Sequence, residues 1–128
     1  MLKGCLLEDS LLLKNTDFNK SFLKDIVKVA DSCDWEICGA ATASTLYFFK
    51  NSSPSPKETF LIKSSDYFEI YKDIEFLFHS HCLGGATPSP CDIDISHESG
   101  LKSLIYSVPE KNFSFYDPKN EKLIYFCI

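Results

Sequence analysis

Arginine is absent from this sequence, so its 13 basic residues are all lysines. The chain therefore lacks the guanidinium group, the side chain best suited to bidentate contact with a phosphate. Eighteen acidic residues outnumber the lysines, the formal net charge is -5, and the lysines are scattered along the chain. Nucleic-acid binders usually gather basic residues on one face. We therefore expect no nucleic-acid partner, and phosphoryl chemistry is disfavoured.

Long hydrophobic runs are also missing. The apolar stretch from Leu6 to Leu13 is interrupted by Glu8 and Asp9, and it is too short for a signal-peptide core or a membrane span. We expect no signal peptide, no membrane association and a cytoplasmic location.

The six cysteines lack the CxxC spacing of zinc ribbons. Without an export signal they are more typical of reduced, mostly buried thiols than of disulfides. They are Cys5, Cys33, Cys38, Cys82, Cys91 and Cys127.

The length of 128 residues, with 45% hydrophobic and 24% charged residues, predicts one soluble domain over 1–128. Leu2 to Leu13 favours two short strands or one bent strand. From Asp17 or Asn19 to Ser32–Asp34, apolar residues at helical spacing predict a first helix. Ile37 to Phe49 then predicts a long strand or a hairpin.

The second half of the chain alternates strand and helix patterns. A loop-forming Asn-Ser-Ser-Pro-Ser-Pro stretch begins at Asn51, and a helix start is expected at Ser89-Pro90, with Gly100 as its end. The remaining predictions are a strand over Lys57–Lys63, a short helix over Ser64–Tyr71, a buried strand over Ile74–Phe78, a loop over Cys82–Pro88, and strands over Leu101–Val108, Asn112–Tyr116 and Lys122–Cys127.

Two histidines, His79 and His81, follow the predicted strand Ile74–Phe78 directly. Because side chains alternate along a strand, both imidazoles are expected on one face. Neutral imidazole is a good zinc ligand, and Asp92, in the first turn of the next helix, can add a carboxylate. Zinc held by three ligands keeps a position for water and makes hydroxide available at neutral pH. Glu36, beside Trp35 and before an apolar stretch, is the candidate general base.

Each of these residues also has an ordinary structural interpretation. Ser89 to Asp92 is a common helix start, two neighbouring histidines are often plain loop residues, and Glu36 alone is typical of a surface carboxylate. Their order is more specific. Glu36 precedes His79-Ser-His81, a seven-residue gap, Ser89, two residues and Asp92. This pattern resembles the signature of the JAMM zinc peptidases, which have the MPN domain, and Glu36-Ile-Cys-Gly39 is similar to the family's strand after its first helix.

The resemblance implies an α/β fold, a curved mixed β-sheet flanked by helices, as in the MPN and cytidine-deaminase-like architecture. It implies one zinc ion per chain on His79, His81 and Asp92, Glu36 as general acid and base, and Ser89 as a stabiliser of the oxyanion. The expected activity is hydrolysis of a peptide or isopeptide bond in a peptide or protein substrate.

Within the family, the chain looks most like the JAMM domains of phage tail assembly proteins, which favours a tail protein or cell-wall peptide as substrate and a virion-associated location. Two alternatives stay open. One is trimming of the C-terminus of a ubiquitin-like or sulfur-carrier protein, and the other is a non-catalytic MPN scaffold.

One position departs from the family pattern. Cys82 follows the second histidine, where the family usually has proline, and it is interpreted as a small neutral residue although a thiolate could compete for zinc. His97, five residues after Asp92 on the predicted helix, is expected at the surface. The aromatic residues of the C-terminal strands are expected to pack in a core or a dimer interface.

Overall fold

A six-stranded mixed sheet is the centre of the structure, which is a computed structural model describing residues 20–128. Its strands lie in the order β2-β1-β3-β4-β5-β6. Only the β3–β4 pair is parallel, and the other four pairs are antiparallel. The strands are β1 (Cys38–Ala41), β2 (Leu46–Phe49), β3 (Phe76–His81), β4 (Lys102–Ser107), β5 (Asn112–Asp117) and β6 (Lys122–Phe126).

Helices flank this sheet. They are α1 (Lys20–Asp31), α2 (Ser64–Tyr67), which continues into a 3-10 helix (Phe68–Asp73), and α3 (Pro90–Ser99). The chain crosses from β3 to the parallel strand β4 through α3, as parallel strands require. None of the helices within residues 20–128 is long and apolar enough to cross a membrane.

The main core lies between α1 and one face of the sheet. Leu23 and Ile26 of α1 are fully buried and pack with Phe76 and Phe78 of β3. Because side chains alternate along a strand, His79 and His81 lie on the opposite face of β3. Aromatic residues of the C-terminal strands complete the core, as expected: Phe113, Phe115 and Phe126 are each 1% exposed.

Most of the predicted elements are confirmed. The first helix, the hairpin within Ile37–Phe49, the short helix after Ser64 and the three C-terminal strands are all present, as is the mixed sheet flanked by helices. The strand predicted over Ile74–Phe78 extends to His81, so the histidines end the strand rather than follow it. The prediction for Leu2–Leu13 and the helix start at Asp17 or Asn19 lie outside the described residues.

The prediction of a strand over Lys57–Lys63 is wrong, because this segment is irregular. The side chain of Asn51 satisfies backbone groups that a strand would pair with a neighbour. Its Oδ1 accepts from the N–H of Leu61 at 3.1 Å, and its Nδ2 donates to the carbonyls of Thr59 at 3.0 Å and Glu36 at 2.9 Å. The side-chain amide of Asn51 therefore connects this loop to Glu36, in place of the backbone hydrogen bonds of paired strands.

The expectation of mostly buried thiols is also wrong. All five cysteines of residues 20–128 are free, as expected, but only Cys38 is buried. Cys91 is exposed, and the other three are half-buried.

Gly39 in β1 has no room for a side chain. An added Cβ would collide with the backbone carbonyl of Tyr47 and with the ring of Phe78. We expect Gly39→Ala to lower the free energy of unfolding by about 1–3 kcal/mol, the usual cost of overpacking. Thermal unfolding would measure this loss. Gly84→Ala is the matched control, because its Cβ would meet no atom, and equal melting temperatures for the two variants would contradict the prediction.

Candidate metal centre

His79 and His81 bring two imidazole nitrogens together at the end of β3. Their Nε2 atoms are 3.3 Å apart, which confirms the prediction that both rings share one face of the strand. His79 is 2% exposed and His81 16% exposed. β3 pairs with β1 on one side and with β4 on the other. The backbone of both histidines is therefore held in the middle of the sheet.

Asp92 is placed beside the histidines by the start of α3. The N–H of Asp92 donates to Ser89 Oγ at 3.1 Å, and the N–H of Ser89 donates to Asp92 Oδ2 at 2.9 Å, which forms a reciprocal capping box. Pro90 is the first helical residue, and Gly100 ends the helix in the left-handed conformation at φ 72°. The predicted helix start and end are therefore confirmed.

The three side chains form a compact cluster. Asp92 Oδ1 lies 3.3 Å from His79 Nε2, and Asp92 Oδ2 lies 3.2 Å from His81 Nε2. Ligand atoms of a tetrahedral ion with bonds of about 2.0–2.1 Å are about 3.3–3.4 Å apart. The spacing of the cluster thus fits a small cation, and among residues 20–128 it is the one group with the composition and closeness of a metal site.

A hydrogen bond to Gly85 sets the orientation of His81. Its Nδ1 lies 2.7 Å from the carbonyl oxygen of Gly85, which can only accept, so Nδ1 carries the hydrogen. In the neutral ring Nε2 then has a lone pair, directed at Asp92 Oδ2. Two lone pairs face each other there, which favours a cation between them. Such a partner behind a metal-binding imidazole is the usual means of fixing its tautomer.

The electrostatics of the cluster suit metal binding. Burial alone would raise the pKa of Asp92, but hydrogen bonds with His79 and His81 outweigh it and hold that pKa well below its usual range. Burial lowers the pKa of His79, which keeps the ring neutral. For His81 the opposing effect of burial is outweighed by hydrogen bonds with Asp92 and Gly85, so its pKa is raised. The shifts of Asp92 and His79 favour an ionised carboxylate and a neutral imidazole, the forms that coordinate metals, whereas the raised pKa of His81 means that metal binding there would displace a proton.

Glu36 is held near the cluster through its neighbour Ile37. The N–H of Ile37 donates to Ser80 Oγ at 2.9 Å, and the N–H of Ser80 donates back to the carbonyl of Ile37 at 3.0 Å. Ser80 is the residue between the two histidines. These two bonds therefore hold the segment that carries Glu36 next to the candidate metal ligands. Ile37 and Ser80 are 43 positions apart in the sequence.

The Glu36 side chain is only 5% exposed. Burial raises its pKa to about 7; the charge of His81 opposes this shift and the charge of Asp92 adds to it. A carboxylate with a pKa near 7 exchanges a proton at neutral pH, as a general acid and base must.

A cavity of about 380 Å³ joins these groups. Four of the five predicted site residues line it: Glu36, His81, Ser89 and Asp92. His79 is not among the lining residues, since the ring of Phe60 stacks on its imidazole at 4.2 Å. The structure thus brings the predicted residues to one place, with His79 behind an aromatic cover.

Sequence patterns did not indicate three residues that shape this site. Phe60 lies in the segment for which the sequence predicts a strand that is not present, and no spacing rule links it to His79. Gly85 contacts His81 through its backbone carbonyl, which every residue type has, so the sequence does not predict this hydrogen bond. Asn51 donates to the carbonyl of Glu36, but in the sequence it indicates only a loop.

Cys82 and His97 lie outside the cluster. Burial raises the pKa of the Cys82 thiol, which favours the protonated form and makes it a poor competitor for a metal. His97 is 41% exposed, and its Nε2 lies 2.9 Å from the hydroxyl of Tyr116. The expectation that His97 is a surface residue is confirmed.

Two solved structures resemble the chain. Protein DSY2949 from Desulfitobacterium hafniense is 21% identical, with a TM-score of 0.61, and the match covers 86% of this chain and 88% of that one. AF2198 from Archaeoglobus fulgidus, described as a JAB1/MPN domain protein, is 20% identical, with a TM-score of 0.54 and coverage of 83% and 92%. No family model and no curated protein matches the sequence. The likeness to AF2198 shows an MPN-like fold.

Proposed function

We propose that the chain is a zinc-dependent peptidase of the JAMM type. The observation that carries this proposal is the cluster of His79, His81 and Asp92, with nitrogen and oxygen atoms 3.2–3.3 Å apart beside a cavity. Two imidazoles and one carboxylate are a catalytic zinc set, which leaves a coordination position free. When bound, zinc would supply Lewis-acid activation of water and of a substrate carbonyl.

Glu36 is the proton carrier in this proposal. Its carboxylate takes a proton from the attacking water and delivers it to the leaving amine. Burial and a pKa of about 7 support this role, because a general base near the working pH combines the correct protonation state with sufficient driving force. Its place on the same cavity as His81 and Asp92 supports it as well.

Ser89 is the proposed oxyanion donor. Its Oγ accepts the N–H of Asp92, so its own O–H can donate to a substrate oxygen in the cavity that it lines. Donors aimed at developing negative charge lower the barrier of acyl transfer. The capping box holds this hydroxyl next to the carboxylate of Asp92.

The hydroxyl of Ser89 has two functions that can be separated. We expect Ser89→Gly to lower kcat by about 100-fold or more, the usual loss for one oxyanion donor. Glycine is a tolerated N-cap, so the melting temperature should change little, since serine to glycine costs only a few tenths of a kcal/mol. Steady-state kinetics and thermal unfolding measure the two effects. Unchanged kcat would remove Ser89 from the reaction.

The substrate class is a peptide or isopeptide bond. A phage tail protein, a cell-wall peptide and the C-terminus of a ubiquitin-like or sulfur-carrier protein stay predictions from the sequence. An amide carbonyl fits the combination of a Lewis acid, a proton carrier for the amine and an oxyanion donor. Each alternative offers such a bond.

The proposal is tested on the purified chain. We expect one zinc per chain by elemental analysis and hydrolysis of at least one of the three substrate classes, read by mass spectrometry. Removal of zinc by a chelator should stop hydrolysis, and added zinc should restore it. A folded chain that takes up no zinc would overturn the proposal and favour the scaffold alternative.

A further inference from the structure

A second cavity adjoins the candidate metal centre. It has a volume of about 210 Å³, and two of its lining residues, Phe60 and Ile95, also line the cavity that contains Glu36. The two cavities therefore share a wall. Nothing in the proposed reaction uses the second one.

The shared wall, formed by Phe60 and Ile95, lies next to the candidate metal ligands. The ring of Phe60 stacks on the His79 imidazole at 4.2 Å. Ile95 follows Asp92 by three residues in α3, so both lie on one side of the helix. Leu77, which also lines the second cavity, precedes His79 by two residues in β3 and shares its face. Two of the three predicted metal ligands, His79 and Asp92, thus have apolar neighbours that line the second cavity.

The lining of the second cavity is apolar. It contains no charged residue. The hydroxyl of Tyr71 donates to the carbonyl of Ser99 at 2.9 Å, so this polar group already has a partner. A cavity of about 150 Å³ lined by apolar side chains holds benzene. The second cavity accordingly has room for one leucine or phenylalanine side chain.

The entrance is apolar too. Leu61 is 52% exposed and Tyr71 is 43% exposed, and both line this cavity. Contiguous exposed apolar surface is uncommon on soluble proteins and often marks a binding groove. Because the second cavity shares Phe60 and Ile95 with the cavity of Glu36 and Asp92, the occupant that fits it best is another part of the same substrate.

We propose that this second cavity is a side-chain pocket that selects one bulky, uncharged, apolar residue of the peptide substrate next to the cleaved bond. The proposal rests on the peptidase function, because it needs a substrate chain in the neighbouring cavity. Leucine or phenylalanine gains free energy by burial there. Lysine or aspartate is rejected, since a charge without a partner is costly to bury.

The test uses a series of alanine hexapeptides in which one position is leucine, phenylalanine, alanine, lysine or aspartate. Affinity is measured on zinc-loaded Glu36→Gln protein by calorimetry, and kcat/KM is measured on the zinc-loaded wild type. The leucine and phenylalanine peptides should bind about 10-fold or more tighter than the others, as expected for differences in buried side-chain size. Cleavage should occur at one fixed distance from the variable residue.

A charge at the entrance should change this selection. In the Glu36→Gln background, Leu61→Asp is expected to remove the advantage of leucine and phenylalanine and to favour lysine. Phe68→Asp is the matched control, because Phe68 is 78% exposed on the adjacent 3-10 helix and does not line the cavity. The Phe68→Asp variant should prefer the leucine and phenylalanine peptides to the same extent as the Glu36→Gln protein.

The outcomes separate the pocket from the peptidase function. Equal affinity for all five peptides, or unchanged selection in Leu61→Asp, would overturn the pocket. If wild type nevertheless cleaves the series at equal rates, the peptidase proposal stands. Selective binding of leucine and phenylalanine without any cleavage would support the pocket and count against the peptidase.

Discussion

Replacing His81 by alanine is expected to abolish zinc binding at micromolar metal and, with it, hydrolysis. The substitution removes one of the three candidate ligand atoms and also the hydrogen bond to Gly85 that orients the ring. Loss of an outer-shell partner alone usually costs about 10-fold to 100-fold in metal affinity, so losing the ligand itself should cost more than about 100-fold. Elemental analysis after dialysis and a competition titration with a zinc dye would measure this.

The matched control for this variant is His97→Ala. It removes the third histidine of residues 20–128, the one outside the cluster, whose imidazole lies 2.9 Å from the hydroxyl of Tyr116. This control should keep one zinc per chain and full activity. A His81→Ala protein that still holds stoichiometric zinc with wild-type affinity would show that zinc binds elsewhere on the protein.

Glu36→Gln is expected to separate chemistry from metal binding. The amide has nearly the same shape as the carboxylate but cannot carry the proton, so zinc content should stay at one per chain. Hydrolysis should fall by about 100-fold to 10,000-fold, the usual contribution of general acid and base catalysis. Initial rates on a cleaved peptide, with parallel metal analysis, would test both halves. Glu98→Gln, the same change at an exposed residue of α3, is the control.

The stability of this variant provides a further check. Burial raises the pKa of Glu36 from 4.5 to about 7. The folded state therefore holds this proton more tightly than the unfolded state. As pH rises from about 4.5 to about 7, the metal-free wild type consequently loses stability. Glutamine has no such charge to bury. At pH 8 the metal-free variant should therefore melt at or above the wild-type temperature. A clearly lower value would indicate damage to the fold.

The elements of the site were predictable because their signals are local. An apolar strand ending in His79-Ser-His81 fixes the face of both rings by the alternation of side chains. Ser89, Pro90 and Asp92 form a helix start whose carboxylate direction follows from the capping box. Only residues 82–88 separate these two motifs, so one short loop between β3 and α3 brings them together.

The rest of the site depends on contacts that no local pattern encodes. Lys57–Lys63 has the composition of a strand, but Asn51 takes up its backbone groups, so tertiary hydrogen bonds override propensity. That loop then places Phe60 against His79. The position of Glu36 likewise depends on Ser80, 43 residues after Ile37. Contacts between residues so far apart in the sequence cannot be predicted from the local spacing of residue types.

The capping box of α3 has a consequence for how a metal is gained and lost. Asp92 is held by the N–H of Ser89, and His81 by the carbonyl of Gly85, so both contacts are made by protein groups. Many small zinc domains fold only as the metal binds. Here hydrogen bonds within the protein hold two of the candidate ligands, so we expect removal and reloading of zinc to be a reversible exchange on an intact fold.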